Sequence, residues 1–171
     1  MAILEIVQYP DPRLREKCKP VDAITAKLQK TIDDMVETMY NAPGIGLAAS
    51  QIGLDQRVIV VDIGDDEETG KTSHLYKIIN PEIVERGGKI DYEEGCLSIP
   101  GIKETVRRAS RVVLVGVDET GKELEVEAEG LLAVCFQHEI DHLDGVLFID
   151  HLSRVKKELI KSRLAKRKNN S

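Results

Sequence analysis

The sequence predicts an α+β domain: antiparallel β-sheets wrapped around one central buried helix, with an N-terminal and a C-terminal helix. Three observations carry this. Strand-like runs follow one another from residue 57 to residue 128 without the strand–helix alternation of a parallel sheet. The helix-forming run 131–143 is apolar on most of its circumference, so it belongs inside. The chain has 171 residues, 42% of them hydrophobic, which suffices for one domain with a core and is too apolar for disorder. Residues 1–171 therefore read as a single domain, with 153–171 as a basic C-terminal helix or tail.

Each element has its own justification. Leu28, Ile32, Met35, Val36, Met39 and Tyr40 recur at helical spacing, predicting a helix over about 25–41 that Pro43 and Gly44 end. Residues 57–62 form an apolar strand, and 64–73 form a polar loop. Residues 75–80, 82–86 and 89–93 read as strands, with Gly87-Gly88 as a hairpin turn. A second hairpin joins 111–117 to 123–128 around Glu119-Thr120-Gly121. The buried helix follows, then a last helix from about residue 153. No internal repeat and no linker interrupts this order.

The buried helix carries the chemistry. In His138-Glu139-Ile140-Asp141-His142 a four-residue offset stacks two imidazoles one turn apart on one face, where they can grip one metal ion. Glu139 lies on an adjacent face, within reach of a water at that metal. Such a string also arises by chance. Here, however, the polar groups sit on an apolar helix and need partners, which a metal supplies. A third ligand is required. An extension that would place His at 148 fails, because that residue is Phe148, and Glu158 lies in the basic tail. Cys135 shares the histidine face, but 135 and 142 are about 10 Å apart along the axis, so Cys135 reads as a small buried hydrophobe. Cys96, in Glu94-Gly95-Cys96-Leu97-Ser98, remains a candidate with little support of its own. The segment Gly44-Ile45-Gly46-Leu47-Ala48-Ala49-Ser50-Gln51 fits a dinucleotide pattern by letters. Its context does not fit, since a helix precedes it, and it reads as a glycine loop where backbone approaches a ligand.

GIGLAASQ, EGCLS and QHEIDH, in this order, resemble the three signature motifs of peptide deformylase. Tyr9-Pro10-Asp11-Pro12 with Leu14-Arg15 is similar to that family's N-terminal segment, and the resemblance spans about residues 6–152. It implies a metal-dependent hydrolase that removes the formyl group from N-formylmethionyl nascent peptides and releases formate. It implies Cys96, His138 and His142 as ligands of one ion per chain, with one position left open, and Glu139 as acid–base. It also implies the Gln51 side-chain amide and the Leu97 backbone N–H as donors to the oxyanion. The ion it implies is Fe2+, with Zn2+, Ni2+ or Co2+ as substitutes, although two imidazoles and a thiolate also suit zinc on general grounds. Leu131, Val134 and Cys135, on the histidine face, offer an apolar slot for the methionine side chain, or else ordinary core. Gly44, Ile45 and Gly46 offer backbone to an extended peptide. Arg108 is either a partner for Glu94 that braces the cysteine loop or a solvated surface arginine. Two other readings share these residues: a small peptidase acting on unformylated peptides, and a binding module with a structural metal, which would need a fourth protein ligand.

Charge is unevenly spread. Residues 153–171 hold eight Lys/Arg and one acidic residue, a net +7, which leaves −13 for the remainder of a chain whose total is −6. An acidic body excludes broad nucleic-acid binding, whereas the basic segment is suited either to docking on the ribosome or to being a solvated tail that aids solubility. Val155, Leu159, Ile160 and Leu164 would hold that helix to the body. No apolar run is long enough to cross a membrane. The N-terminus lacks the basic region of a signal peptide, and three cysteines argue against a disulfide framework. The expectation is a cytoplasmic protein without membrane attachment.

Overall fold

The computed structural model describes residues 2–65, 70 and 72–170. Helix α1 spans Ala26–Asn41 and begins where the Thr25 hydroxyl oxygen accepts the Leu28 N–H at 3.1 Å. Its stripe of Leu28, Ile32, Met35 and Met39 is buried. The helix ends as expected: the Gly44 N–H turns back to the Met39 carbonyl at 2.7 Å, one residue after Pro43.

Seven strands follow: β1 Gly46–Ala48, β2 Val58–Val61, β3 Tyr76–Gly87, β4 Ile90–Cys96, β5 Ile99–Arg108, β6 Arg111–Val117 and β7 Glu123–Glu129. They form a five-stranded sheet in the order β1-β2-β3-β6-β7 and a two-stranded sheet of β4 and β5, with every neighbouring pair antiparallel. Helix α2, Gly130–Leu143, lies against the five-stranded sheet, and α3, Arg154–Asn170, closes the chain.

β2 shows why the sheet stands where it does. All four of its residues are buried. Val58 and Val60 join the cluster of α1, whereas Ile59 and Val61 join that of α2 with Phe136, Ile140 and Leu143. Successive side chains point to opposite faces, so a continuously apolar strand needs a helix on each side. A third cluster packs Ile99, Ile102 and Val106 of β5 against Leu147, Phe148 and Ile160.

The predicted α+β arrangement stands, with four differences. Residues 75–80 and 82–86 form one strand, β3. Its ladder shifts register between Ile79 and Glu82 to pass Pro81, which has no N–H to donate. Asn80, at φ 53°, uses its side chain there to hold both the N–H and the C=O of Val21, at 2.8 and 3.0 Å. Second, Gly87-Gly88 is not a hairpin turn. Both edges of β3 are already taken by β2 and β6, so the chain turns at Gly88 (φ 65°) and crosses to the other sheet, where β4 pairs with β5. Third, β1 and β5 went unread, β1 as a glycine loop and β5 because Pro100, Gly101 and several charged residues hide its alternation. Fourth, Ile160 and Leu164 seat α3 on the body, but Val155 and Leu159 are 71% and 61% exposed. The predicted loop over 64–73 falls partly outside the described residues.

The end of α2 depends on one glycine. Gly145, at φ 76°, receives the chain after His142, and a Cβ there would collide with the Arg15 carbonyl oxygen. Gly64 has φ 79° but nothing near its Cβ position. Gly145→Ala should therefore cost about 2 kcal/mol or more, and Gly64→Ala about 1 kcal/mol or less, by urea unfolding. Equal costs would show that backbone strain alone, and not the Arg15 contact, sets the requirement.

Candidate metal centre

Three donor atoms converge beneath β1 and the β4–β5 turn. His138 Nε2 and His142 Nε2 lie 3.2 Å apart, and Cys96 Sγ lies 3.3 Å from His142 Nε2. All three fall within 4.8 Å of one another. A tetrahedral ion with nitrogen and sulfur bonds of about 2.0 and 2.3 Å holds such donors roughly 3.3–3.5 Å apart, so the cluster fits one divalent ion. Cys135, buried on the same helix, is not part of it. Its Sγ–H instead points to the Ile45 carbonyl at 3.7 Å, and burial pushes its pKa well up, keeping it a thiol.

Each candidate ligand is oriented by a second group. His138 Nδ1 meets Glu94 Oε1 at 2.8 Å, which turns Nε2 toward the cluster. Glu94 is clamped by Arg108 Nε and Nη2 at 2.8 and 2.9 Å, the bracing that is one of the two readings the sequence leaves open, and both side chains are 4% exposed. Arg108 Nη1 also reaches Asp141 Oδ2 at 2.5 Å, and Asp141 in turn meets His151 Nε2 at 2.8 Å. Cys96 follows a register shift between Glu94 and Cys96, and its sulfur accepts the Ser98 N–H at 3.4 Å and the Gln51 Nε2 amide at 3.5 Å. Burial holds the His142 pKa well down, so it stays neutral as a ligand must. Burial works the same way on His138, but hydrogen bonds to Cys96 and Glu94 outweigh it and raise its pKa, so a proton competes with any cation there.

Glu139 stands apart from the three donors. Burial pushes its carboxyl up to about 7, and Oε1 has no hydrogen-bond partner among the described residues. Gly46 makes room for it, since a Cβ there would collide with Glu139 Oε2. Gln51 is pinned: Oε1 accepts the Ala48 N–H at 3.0 Å, while Nε2 donates to Ser98 Oγ at 3.1 Å as well as to Cys96.

A cavity of about 670 Å3 opens onto this cluster. Gly44, Ile45, Gly46, Gln51, Cys96, Leu97, Leu131, Val134, Cys135, His138 and Glu139 line it. Every candidate site residue except the fully buried His142 is thus brought to one cavity. Ile6, Tyr92, Pro100 and Ile102 also line it and were missed, as were the supporting Ser98, Asp141 and His151. Asp141 was in view within the HEIDH string. His151 carries no local signal, because only the fold brings it back beside Asp141.

A family model described as polypeptide deformylase matches residues 3–158. The chain belongs to this family. A peptide deformylase of Chromobacterium violaceum is 52% identical over 167 residues, covering 98% of this chain and 97% of that protein. A crystal structure of a peptide deformylase from Legionella pneumophila superposes with a TM-score of 0.89 at 47% identity, covering 98% of this chain and 96% of the other. One from Ehrlichia chaffeensis in complex with actinonin reaches 0.90 at 38% identity, covering 98% of each chain. The chain is accordingly a metal-dependent amide hydrolase that removes the formyl group from formylated nascent polypeptides.

The two buried glutamates give opposite pH dependences. Burial raises Glu139 from 4.5 in the unfolded chain to about 7, so ionising it destabilises the folded state. That penalty is absent below pH 4.5 and grows as pH rises to about 7. For Glu94, burial acts upward, but Arg108 and His138 outweigh it and hold the pKa below 4.5. Its stabilisation is present above 4.5 and lost as pH falls below that value. Metal-free Glu139→Gln should therefore be more stable than the metal-free parent by about 3 kcal/mol at pH 8, with the difference gone near pH 4. Urea midpoints at the two pH values check this, and a pH-independent difference would contradict the Glu139 assignment.

Proposed function

We propose that Cys96, His138 and His142 hold the ion and that Glu139, Gln51 and the Leu97 N–H act on the formyl group. What carries this reading is the convergence of the three donors beside one cavity, which Cys96, His138 and Glu139 line, and the Glu139 Oε1 that has no hydrogen-bond partner among the described residues. A divalent ion held there supplies Lewis acidity and makes an attacking water a stronger acid, toward a pKa of ~7. Glu139 takes the proton from that water as it attacks the formyl carbon. It then returns the proton to the departing amine nitrogen, and a pKa near neutrality suits both transfers. The carbonyl oxygen gains negative charge, and Gln51 Nε2 and the Leu97 N–H donate to it, each donor contributing about 3 kcal/mol. Formate and a free amino terminus result.

The methionine side chain of the substrate enters the slot formed by Leu131, Val134 and Cys135. The peptide that follows runs beside Gly44, Ile45 and Gly46. β1 is an edge strand of its sheet, so main-chain groups there remain available to an added strand. Recognition through backbone would make binding tolerant of sequence beyond the first residue. Fe2+ is the ion assigned to the site, with Zn2+, Ni2+ or Co2+ as replacements. A reduced Cys96 requires a reducing compartment, which supports a cytoplasmic location. No described helix is long and apolar enough to cross a membrane.

Docking on the ribosome through α3 belongs to the same proposal. Arg154, Lys156, Lys161, Arg163 and Lys166 are exposed along it. Exposed cations of this kind bind phosphate backbones without reading sequence and would hold the enzyme near emerging substrate.

Cys96→Ala should lose both metal and formate release from formyl-Met-Ala-Ser, whereas Cys135→Ala retains metal. Glu139→Gln should retain metal and lose at least ~100-fold in kcat. The opposite pattern at the two cysteines, or a metal-free Glu139→Gln, would overturn the ligand set. In air the iron form should lose activity while the zinc and nickel forms persist, because a thiolate on a redox-active ion is an oxidation target. Equal lifetimes would count against iron. Replacing Lys161, Arg163 and Lys166 with Glu should weaken salt-dependent cosedimentation with ribosomes and leave tripeptide turnover unchanged. Undiminished cosedimentation would end the docking proposal.

A further inference from the structure

Arg108 faces two ways. It holds Glu94 behind His138, and it also lines a second cavity of about 550 Å3 on a different face of α2 from the metal cluster. Volumes of roughly 300–1,000 Å3 are typical of small-molecule sites.

The polar groups of this cavity divide into committed and uncommitted. Gln137 is fully occupied: Nε2 donates to the carbonyls of Ala109 and Ala133 at 2.8 and 3.0 Å, and Oε1 accepts the Ala109 N–H at 3.1 Å. Asp141 is the single carboxylate of the lining, and it is covered by Arg108 Nη1 at 2.5 Å and His151 Nε2 at 2.8 Å. At the mouth, Arg107 is paired with Asp91 at 2.9 Å. Arg86 and Lys89 flank the Gly87-Gly88 turn, are exposed, and make no ion pair among the described residues. The uncommitted charge is thus cationic, in a body that is net acidic outside its C-terminal segment. Ile83, Ala109 and Ile140 supply an apolar wall. A concave site with cations at the mouth and apolar surface inside selects an anion that carries an organic group.

We propose that this cavity binds a small organic phosphate, with the phosphoryl group between Arg86 and Lys89 and the organic part against Ile83 and Ile140. Inorganic phosphate shares the first set of contacts and lacks the second.

The test uses the metal-loaded full-length protein at low ionic strength, titrated with AMP and, separately, with inorganic phosphate, while backbone amide resonances are followed. The expected result is saturable binding of both, AMP about tenfold tighter, a difference of about 1.4 kcal/mol. Shifts should centre on Gly87, Gly88 and Ala109 rather than on Gly44 and Gly46. The double variant Arg86→Gln/Lys89→Gln should weaken AMP binding at least tenfold and leave deformylation of formyl-Met-Ala-Ser unchanged. Absence of saturable AMP binding, shifts confined to the metal cavity, or equal affinity in the variant would overturn the site. Equal affinities for AMP and phosphate would overturn the organic-phosphate assignment. Loss of ribosome cosedimentation by the variant without any AMP binding would assign these cations to RNA docking instead.

Discussion

The buried pair of Arg108 and Glu94 is the interaction on which the rest of the site depends. Glu94 comes from β4, Arg108 from β5, and the groups they engage, His138 and Asp141, from α2. The two side chains are almost wholly removed from water, so each needs the other: an unpaired charge in this position costs several kcal/mol. The geometry leaves little freedom. A bidentate guanidinium fixes the plane of the carboxylate, the carboxylate fixes the imidazole, and the imidazole aims Nε2 at the other donors. The two-stranded sheet is thereby tied to the central helix beside the candidate metal cluster.

Packing supplies the rigid frame around that pair. β2 is buried on both faces because α1 and α2 lie on opposite sides of the sheet. α2 cannot shift along its axis without opening the cluster around Phe136, and Gly145 leaves no slack at its C-terminal end. The glycines of the cavity serve a different purpose. At Gly46 the Glu139 carboxylate and the Cys135 sulfur occupy the volume its Cβ would fill, whereas at Gly44 only the end of the Leu97 side chain lies near the Cβ position. At Gly46 the Glu139 side chain and the backbone come within contact distance because a side chain is absent.

The same features make the site costly to the fold. The Glu139 Oε1 and His142 Nδ1 atoms are buried without a hydrogen-bond partner among the described residues, and ionisation of Glu139 is opposed by burial. A bound cation offsets part of this, since it favours the carboxylate and gives the two imidazoles and the thiolate a common partner. With the role proposed for Glu139, stability and catalysis are set against each other there, and the network behind His138 holds the arrangement in place.

The family, the helix carrying the histidines and the α+β arrangement were legible in the sequence. A four-residue offset and an apolar run are local properties, and the three motifs keep their order along the chain. The candidate residues could be named for the same reason, and a pairing of Arg108 with Glu94 was one of two readings the sequence left open, the other being a solvated surface arginine. Tertiary structure decided the rest. That Cys96 lies 3.3 Å from His142 follows from the register shift in β4 and the turn into β5, and that strand was hidden by Pro100, Gly101 and its charges. That Gly87-Gly88 leads to another sheet follows from β3 having both edges already paired. His151 became part of the network because the chain folds back beside Asp141, and only half of the α3 stripe found a surface to cover. Periodicity and local spacing are written into neighbouring residues. Which edges pair, and which distant side chains share a buried charge, is settled only when the whole chain competes for the same interior.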